Sequence, residues 1–213
     1  MFTSSSLLPG LTKVLYGGGA ISLRSRIQCT VKSAFSETRL VPSLNDLLIS
    51  HPVPASVSRF RIGWMEEVND GDGGGGDEGG RSAVIRENRV RFNGSQYKIE
   101  NSFQSWSSGM WICSATGSSA AMSAAGGDPM AVTDDRLQYK IREHLIDGNT
   151  PDNVSVMSSG MLSVSKNLHI RWNSRKGAIY VDGHHIIHRL ELGDEVVVNG
   201  RAPKLKLFVD EGD

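Results

Sequence analysis

The 213 residues carry 23 Lys and Arg against 23 Asp and Glu, a formal net charge of zero, which argues against a nucleic-acid footprint or a polybasic membrane surface. The length fits one large domain or two small ones, and a hydrophobic fraction of 38% suffices for a core once the glycine-rich stretches are set aside. No apolar run approaches the length of a membrane span. The two cysteines, Cys29 and Cys113, lie on apolar strand-like runs and read as buried thiols of a reducing compartment, not as a disulfide framework or a metal set.

Met1 to Ser36 has no acidic residue, four basic ones (Lys13, Arg24, Arg26, Lys32) and many serines, a composition similar to an organellar transit peptide. Against that, Leu11 to Tyr16 reads as a short helical turn stopped by Gly17-Gly18-Gly19, and Ile27 to Lys32 as an alternating strand that a transit peptide does not need. The division expected is a poorly defined segment over 1–25 and one structured domain over 26–213. Pro42 leads into Leu44-Asn45-Asp46-Leu47-Leu48-Ile49, a polar pair ahead of a short buried strand or helix turn, where Asn45 and Asp46 suit the capping of backbone groups. Val57 to Trp64 alternates, with Phe60, Ile62 and Trp64 on one face and Arg59, Arg61 and Gly63 on the other, as in a half-buried strand.

Glu66 to Gly80 (EEVNDGDGGGGDEGG) is glycine-rich and acidic and reads as a disordered surface loop. It lacks the Lys-Ser/Thr pair of a phosphate loop and the closing glutamate of a calcium loop. Ser82 to Glu100 reads as a hairpin turned at Asn93-Gly94. Gly109 to Gly127 then joins an apolar strand (Met110 to Cys113), a hydroxyl-rich turn (Ser114 to Ser119) and a short helix of small residues (Ala120 to Ala125). Such an arrangement offers free N–H groups and hydroxyls to a phosphate or ribose, or else packs tightly against a sheet. Asp134 to Glu143 is ambiguous between helix and strand, and Asp147 to Asn153 is a turn.

From Leu168 onward short strands recur. Leu168, Ile170 and Trp172 alternate with His169, Arg171 and Asn173; Ala178 to Val181, His184 to Leu190, Glu195 to Val198 and Lys204 to Val209 follow, turned at Asp182-Gly183 and Asn199-Gly200. This predicts a meander within a β-sandwich. His184 and His188 are expected on one strand face and His185 on the other. No cysteine or carboxylate has the spacing to close a metal site with them, so no metal ligand is assigned.

Three separated pieces resemble the C-terminal domain of the ATP-dependent NAD kinases. Ser43-Leu44-Asn45-Asp46 resembles the family's Asn-Glu/Asp motif, Cys113 to Gly127 its Thr-Gly-Ser-Thr-Ala segment, and Ile179-Tyr180-Val181-Asp182-Gly183 its late Asp-Gly strand turn, with Leu192-Gly193-Asp194 after it. The wording is most similar to the plant NADH kinase branch, through Ser107-Ser108-Gly109, Ala120-Ala121-Met122 and Leu137-Gln138-Tyr139. The resemblance implies a mainly β chain, a β-sandwich of the NAD kinase C-terminal type with one short helix after the Thr-Gly-Ser turn. It implies that Asn45 and Asp46 bind the ribose and amide groups of the dinucleotide, that Thr116, Gly117, Ser119 and Ala120 line its adenosine side, and that Asp182 and Gly183 sit near the phosphates. The implied reaction is ATP-dependent, Mg2+-assisted phosphorylation of the ribose 2′-hydroxyl of NAD+ or NADH.

The family's Gly-Gly-Asp-Gly-Thr motif, which supplies the proposed base and the ATP cradle, has no counterpart ahead of Asn45; Gly75-Gly76-Asp77-Glu78-Gly79 comes later and lacks the threonine. Leu8 to Lys32 resembles the joint at which the family's first domain ends. No catalytic residue is therefore assigned, and activity is expected only with a further domain or a full-length kinase subunit in a homo-oligomer. Ala121 stands where most members carry tyrosine, and Ser108 where many carry aspartate. The competing expectations are a non-catalytic NAD(P)(H)-binding or oligomer-forming module and a ligand-free structural sandwich. Neither nucleic acid nor membrane is an expected partner. The expected compartment is the cytoplasm, with peroxisome, plastid and mitochondrion as alternatives.

Overall fold

The computed structural model describes residues 11–12, 15–17, 19–67, 89–145 and 156–209. The acidic run from 68 to 80, the incoming half of the expected hairpin over 82–88 and the turn expected over 147–153 lie outside the described residues.

The short alternating or apolar runs, separated by Gly, Asn and Asp, fold as strands. In chain order these are β1 (Ala20–Arg24), β2 (Gln28–Lys32), β3 (Glu37–Arg39), β4 (Asp46–Ser50), β5 (Ser58–Glu67), β6 (Arg89–Phe92), β7 (Ser95–Ser107), β8 (Met110–Cys113), β9 (Leu137–Ile141), β10 (Ser159–Leu162), β11 (Asn167–Trp172), β12 (Lys176–Val181), β13 (Ile186–Glu191), β14 (Glu195–Asn199) and β15 (Leu205–Val209). Among the described residues they form a seven-stranded sheet in the order β3-β2-β14-β11-β5-β7-β6, a six-stranded sheet in the order β10-β9-β8-β4-β12-β13, and a ribbon of β1 with β15. Every pairing is antiparallel.

One core lies between the two large sheets. The seven-stranded sheet contributes Val31, Phe60, Ile62, Leu168, Ile170, Trp172, Val196 and Val198; the six-stranded sheet contributes Leu47, Ile49, Met110, Ile112, Leu137, Ile179 and Val181. The ring planes of Phe60 and Trp172 stack with centroids 6.1 Å apart. The alternation read in β5 and β11 thus points its apolar set into this core, as a period of two requires. The opposite face of the seven-stranded sheet is only partly wet, because Met65, Phe92 and Val197 make a second, smaller cluster there. That cluster is why His169, on the face expected to be polar, is buried.

The structure departs from the expected elements at several points. Order begins before Arg26, since β1 pairs with β15 from Ala20↔Val209 to Arg24↔Leu205. Glu66 and Glu67 extend β5 instead of opening the acidic loop, held by pairing with Lys98 and Tyr97 of β7. The expected C-terminal meander is split between layers: β11 and β14 join the seven-stranded sheet, β12 and β13 the six-stranded one. The turns from β11 to β12 and from β13 to β14 carry the chain across the core, whereas β12 and β13 pair directly as a hairpin and β15 leaves for the ribbon with β1. His184 and His185 lie in the turn before β13, not on a strand, with ring centroids 3.8 Å apart. The short helix expected after Thr-Gly-Ser is a π-type turn over Ser118–Met122, interrupted by a non-helical Ala120 (φ −105°, ψ −114°). No helix among the described residues is long and apolar enough to cross a membrane.

Trp172 is fully buried at the centre of this core, whereas Tyr16 is 86% exposed. Replacing Trp172 with Ala is expected to lower unfolding free energy by about 3–5 kcal/mol in urea titrations. Tyr16→Ala should change it by no more than about 0.5 kcal/mol.

Candidate functional site

The site forms where three chain segments meet at one end of the six-stranded sheet. β4 is central there: β12 runs antiparallel to it with Val181 opposite Leu47, and β8 with Cys113 opposite Asp46. The residue after β12, Asp182, and the residues after β8, Ser114 to Gly117, therefore flank the residues that open β4.

Asp182 adopts a left-handed backbone conformation (φ 49°) and is followed by Gly183 at φ 105°, a turn that Asp-Gly tolerates and most pairs do not. The turn folds the Asp182 carboxylate back over residues 43–46. One oxygen accepts from Ser43 Oγ at 2.6 Å, Asn45 N at 2.7 Å and Asp46 N at 3.2 Å; the other accepts from Leu44 N at 2.8 Å. The Asp182 amide in turn donates to the Asp46 carbonyl at 3.0 Å. A carboxylate thus takes up the amides of three successive residues that no strand partner satisfies.

The second flank is equally tight. Ser114 N donates to the Asn45 carbonyl at 2.9 Å, Ser114 Oγ to the Leu44 carbonyl at 2.5 Å, and Thr116 N to Ser114 Oγ at 3.1 Å. Gly117 lies so close to this segment that an added Cβ would stand 2.2 Å from the Asn45 carbonyl oxygen, so only glycine fits. Ser118, fully buried, donates to the Ala115 carbonyl and accepts from Met130 N, both at 2.8 Å.

These contacts sort the expected site residues. Asn45, Asp46, Thr116 and Gly117 come together. Ser119 and Ala120 are exposed on the π-type turn beyond them, and Gly183 is exposed at the tip of its own turn. Asp182 reaches the cluster, but its oxygens are occupied by the 43–46 segment. By contrast, Thr116 Oγ1 is buried with no hydrogen-bond partner. The side chains of Asn45 and Asp46 also form no hydrogen bond among the described residues. Burial first, and the neighbouring Asp182 charge second, push the Asp46 carboxyl above the usual aspartate range. Ser43 and Ser114 were given no separate role by the sequence, yet they tie the flanks together. Their only signal was a hydroxyl directly beside each motif.

No protein-family model matches the chain. A probable NADH kinase of Oryza sativa subsp. japonica is 31% identical over 169 residues, covering 79% of this chain and 42% of the rice protein. The NADH kinase of Arabidopsis thaliana is 38% identical over 106 residues, 50% of this chain and 32% of that protein. The chain thus spans less than half the length of these curated relatives. In fold it is similar to a crystal structure of yeast NADH kinase complexed with NADH, with a TM-score of 0.68 at 15% identity, over 99% of this chain and 50% of that one. Sheet architecture and sequence are thus each similar to part of a dinucleotide kinase. More narrowly, the chain is similar in sequence to plant NADH kinases over the part they share.

The charge of Asp46 can be tested through stability. Its pKa is raised above 3.8 in the folded state. Well below that value the carboxyl is neutral folded and unfolded, and contributes nothing. As pH rises through the window from 3.8 to the raised value, the unfolded state ionises first and the fold loses stability, a loss that persists at neutral pH. Asp46→Asn should therefore melt higher than the parent near neutral pH, with the gain vanishing in acid. Asp182→Ala should instead lower stability by at least about 1.5–3 kcal/mol, as loss of a charged acceptor does. Thermal melts across pH read both outcomes.

Proposed function

We infer that this chain is the dinucleotide-binding part of an NAD(H) kinase, with NAD+ or NADH as its ligand. The single observation that carries this reading is the buried, unpartnered Thr116 Oγ1 beside the unspent polar groups of Asn45 and Asp46. A buried hydroxyl left without a partner is unfavourable unless something else satisfies it, and a ribose or amide group of a dinucleotide does so. Asn45 offers a donor and an acceptor, Asp46 an acceptor for ribose hydroxyls, and Thr116 a hydroxyl that serves as either. The exposed, small Ala120 leaves room for a close approach, while Gly117 lets the Asn45 backbone pack against the turn. Asp182 acts at one remove: it holds the 43–46 backbone so that Asn45 and Asp46 face the ligand.

The phosphoryl-transfer half of the reaction is a different matter. Among the described residues no group of three or more His, Cys, Asp or Glu side chains converges to hold a metal. The sequence contains no Gly-Gly-Asp-Gly-Thr run to cradle a triphosphate. With no such run, no phosphoryl-transfer step is drawn through this chain's residues. That half falls to another domain or a full-length subunit, and the chain's share is to bind and orient the acceptor.

Asn45→Ala and Asp46→Ala are each expected to weaken NADH binding by about 1–3 kcal/mol in calorimetric titration, with the circular dichroism spectrum unchanged. Unaltered affinity in both variants overturns the assignment, and absence of any binding by the parent chain favours a ligand-free structural role. With ATP, magnesium and NADH, the purified 213-residue chain should form no NADPH above background, and should do so once a Gly-Gly-Asp-Gly-Thr domain is supplied.

A further inference from the structure

We propose that the outer face of the seven-stranded sheet, remote in the fold from the dinucleotide site, carries a pocket for a single phosphate group. Arg61 on β5 and Arg171 on β11 are register partners, directly opposite each other across the two strands. Like charges at paired positions destabilise a sheet unless an anion lies between them. Neither has a carboxylate partner among the described residues. Arg61 spends Nε and one Nη on Ser102 Oγ, at 3.0 and 2.6 Å, which fixes its plane and leaves a further Nη group, and Arg171 makes no hydrogen bond or ion pair among the described residues. Glu195 stands opposite Arg171 in register but turns its carboxylate to Lys32 and His169, at 3.8 Å each.

Both arginines line a pocket of about 100 Å3, together with Arg89, Ser102, His169 and Glu195. That is the space of about three water molecules, enough for one tetrahedral oxyanion, and the pocket opens to solvent so that a group attached to the phosphate can extend outward. Its floor is apolar, from Val90 and Ile99 packed on the outer cluster, so a bound charge is poorly screened. A second, independent feature points the same way. His169, only 3% exposed, lines the pocket with Nε2 buried and without a hydrogen-bond partner. Its imidazole is held neutral, with the pKa lowered to about 4 by burial first and then by the positive charges of Arg171, Arg61 and Lys32. The guanidinium forks match the geometry of a phosphate, and the imidazole adds a donor from below.

The test is calorimetric titration of the full chain with inorganic phosphate at low ionic strength, beside a nucleoside monophosphate, with His169 ring resonances followed by NMR. Saturable phosphate binding is expected, with a perturbed His169 resonance, weakened roughly tenfold or more in Arg171→Gln and in Arg61→Gln. Asp46→Ala should leave it unchanged. Tighter binding of the monophosphate would identify the natural ligand as a phosphorylated small molecule, and equal or weaker binding as free phosphate; either supports the pocket. Arg171→Gln lies on an exposed side chain and keeps the test valid if Arg61→Gln misfolds. No saturable binding, equal affinity in Arg171→Gln and parent, or loss in Asp46→Ala overturns the proposal, the last by moving the phosphate to the dinucleotide site.

Discussion

Everything at the candidate site depends on one carboxylate. Asp182 accepts hydrogen bonds from the amides of Leu44, Asn45 and Asp46 and from the Ser43 hydroxyl. Three successive amides pointing at one spot form a concave donor array, which in other settings receives an external anion. Here the chain fills it with its own side chain. The consequence is geometric: with its backbone held from outside, the 44–45 segment need not pair as a strand, and its side chains are directed by the tie. Ser114 and Gly117 complete the clamp from the other flank, one by bonding the Leu44 and Asn45 carbonyls, the other by yielding the space that any Cβ would fill.

The same clamp explains why Asp46 is held in an unfavourable state. Its carboxyl is half-buried and close to the Asp182 charge, and nothing among the described residues hydrogen-bonds it. A fold that only needed stability would carry an uncharged residue there. Strain of this kind is expected where binding groups are held ready for a partner, because their best interactions are reserved for the ligand. Asp182 and Asp46 thus put one chemistry in two settings, one spent on architecture and one left without a hydrogen bond among the described residues, as the proposed recognition role requires.

The seven-stranded sheet presents the opposite electrostatics. The chain as a whole is neutral, yet one outer surface gathers Arg61, Arg89 and Arg171 around a buried, uncharged histidine. Overall balance therefore hides a local field. It arises because a strand places alternate residues on one face, so that arginines separated by 110 positions in sequence line up across a ladder. The apolar cluster of Met65, Phe92 and Val197 then sinks that charge into a partly dry setting.

Much of the molecule was legible in local sequence. Period-two alternation marked β5 and β11, and Asn93-Gly94 marked its hairpin, with φ of 48° and 81° at the two turn residues. The motifs around Asn45, Thr116 and Asp182 were visible as segments. These features are set by residues near one another in the chain, through side-chain period and the backbone freedom of Gly, Asn and Asp. What the sequence could not show was which wall of the core each strand joins. The regular strands after Leu168 looked like one meander, yet they divide among three sheets and only β12 and β13 pair as neighbours, because burial across the core outweighs neighbourhood in sequence in selecting most partners. Nor could it show that Asp182 closes on residues 136 to 139 positions earlier, or that His169 is buried on a face that alternates as polar. Local propensity cannot encode such contacts. They exist only once distant strands are paired and their side chains share one small, water-poor space.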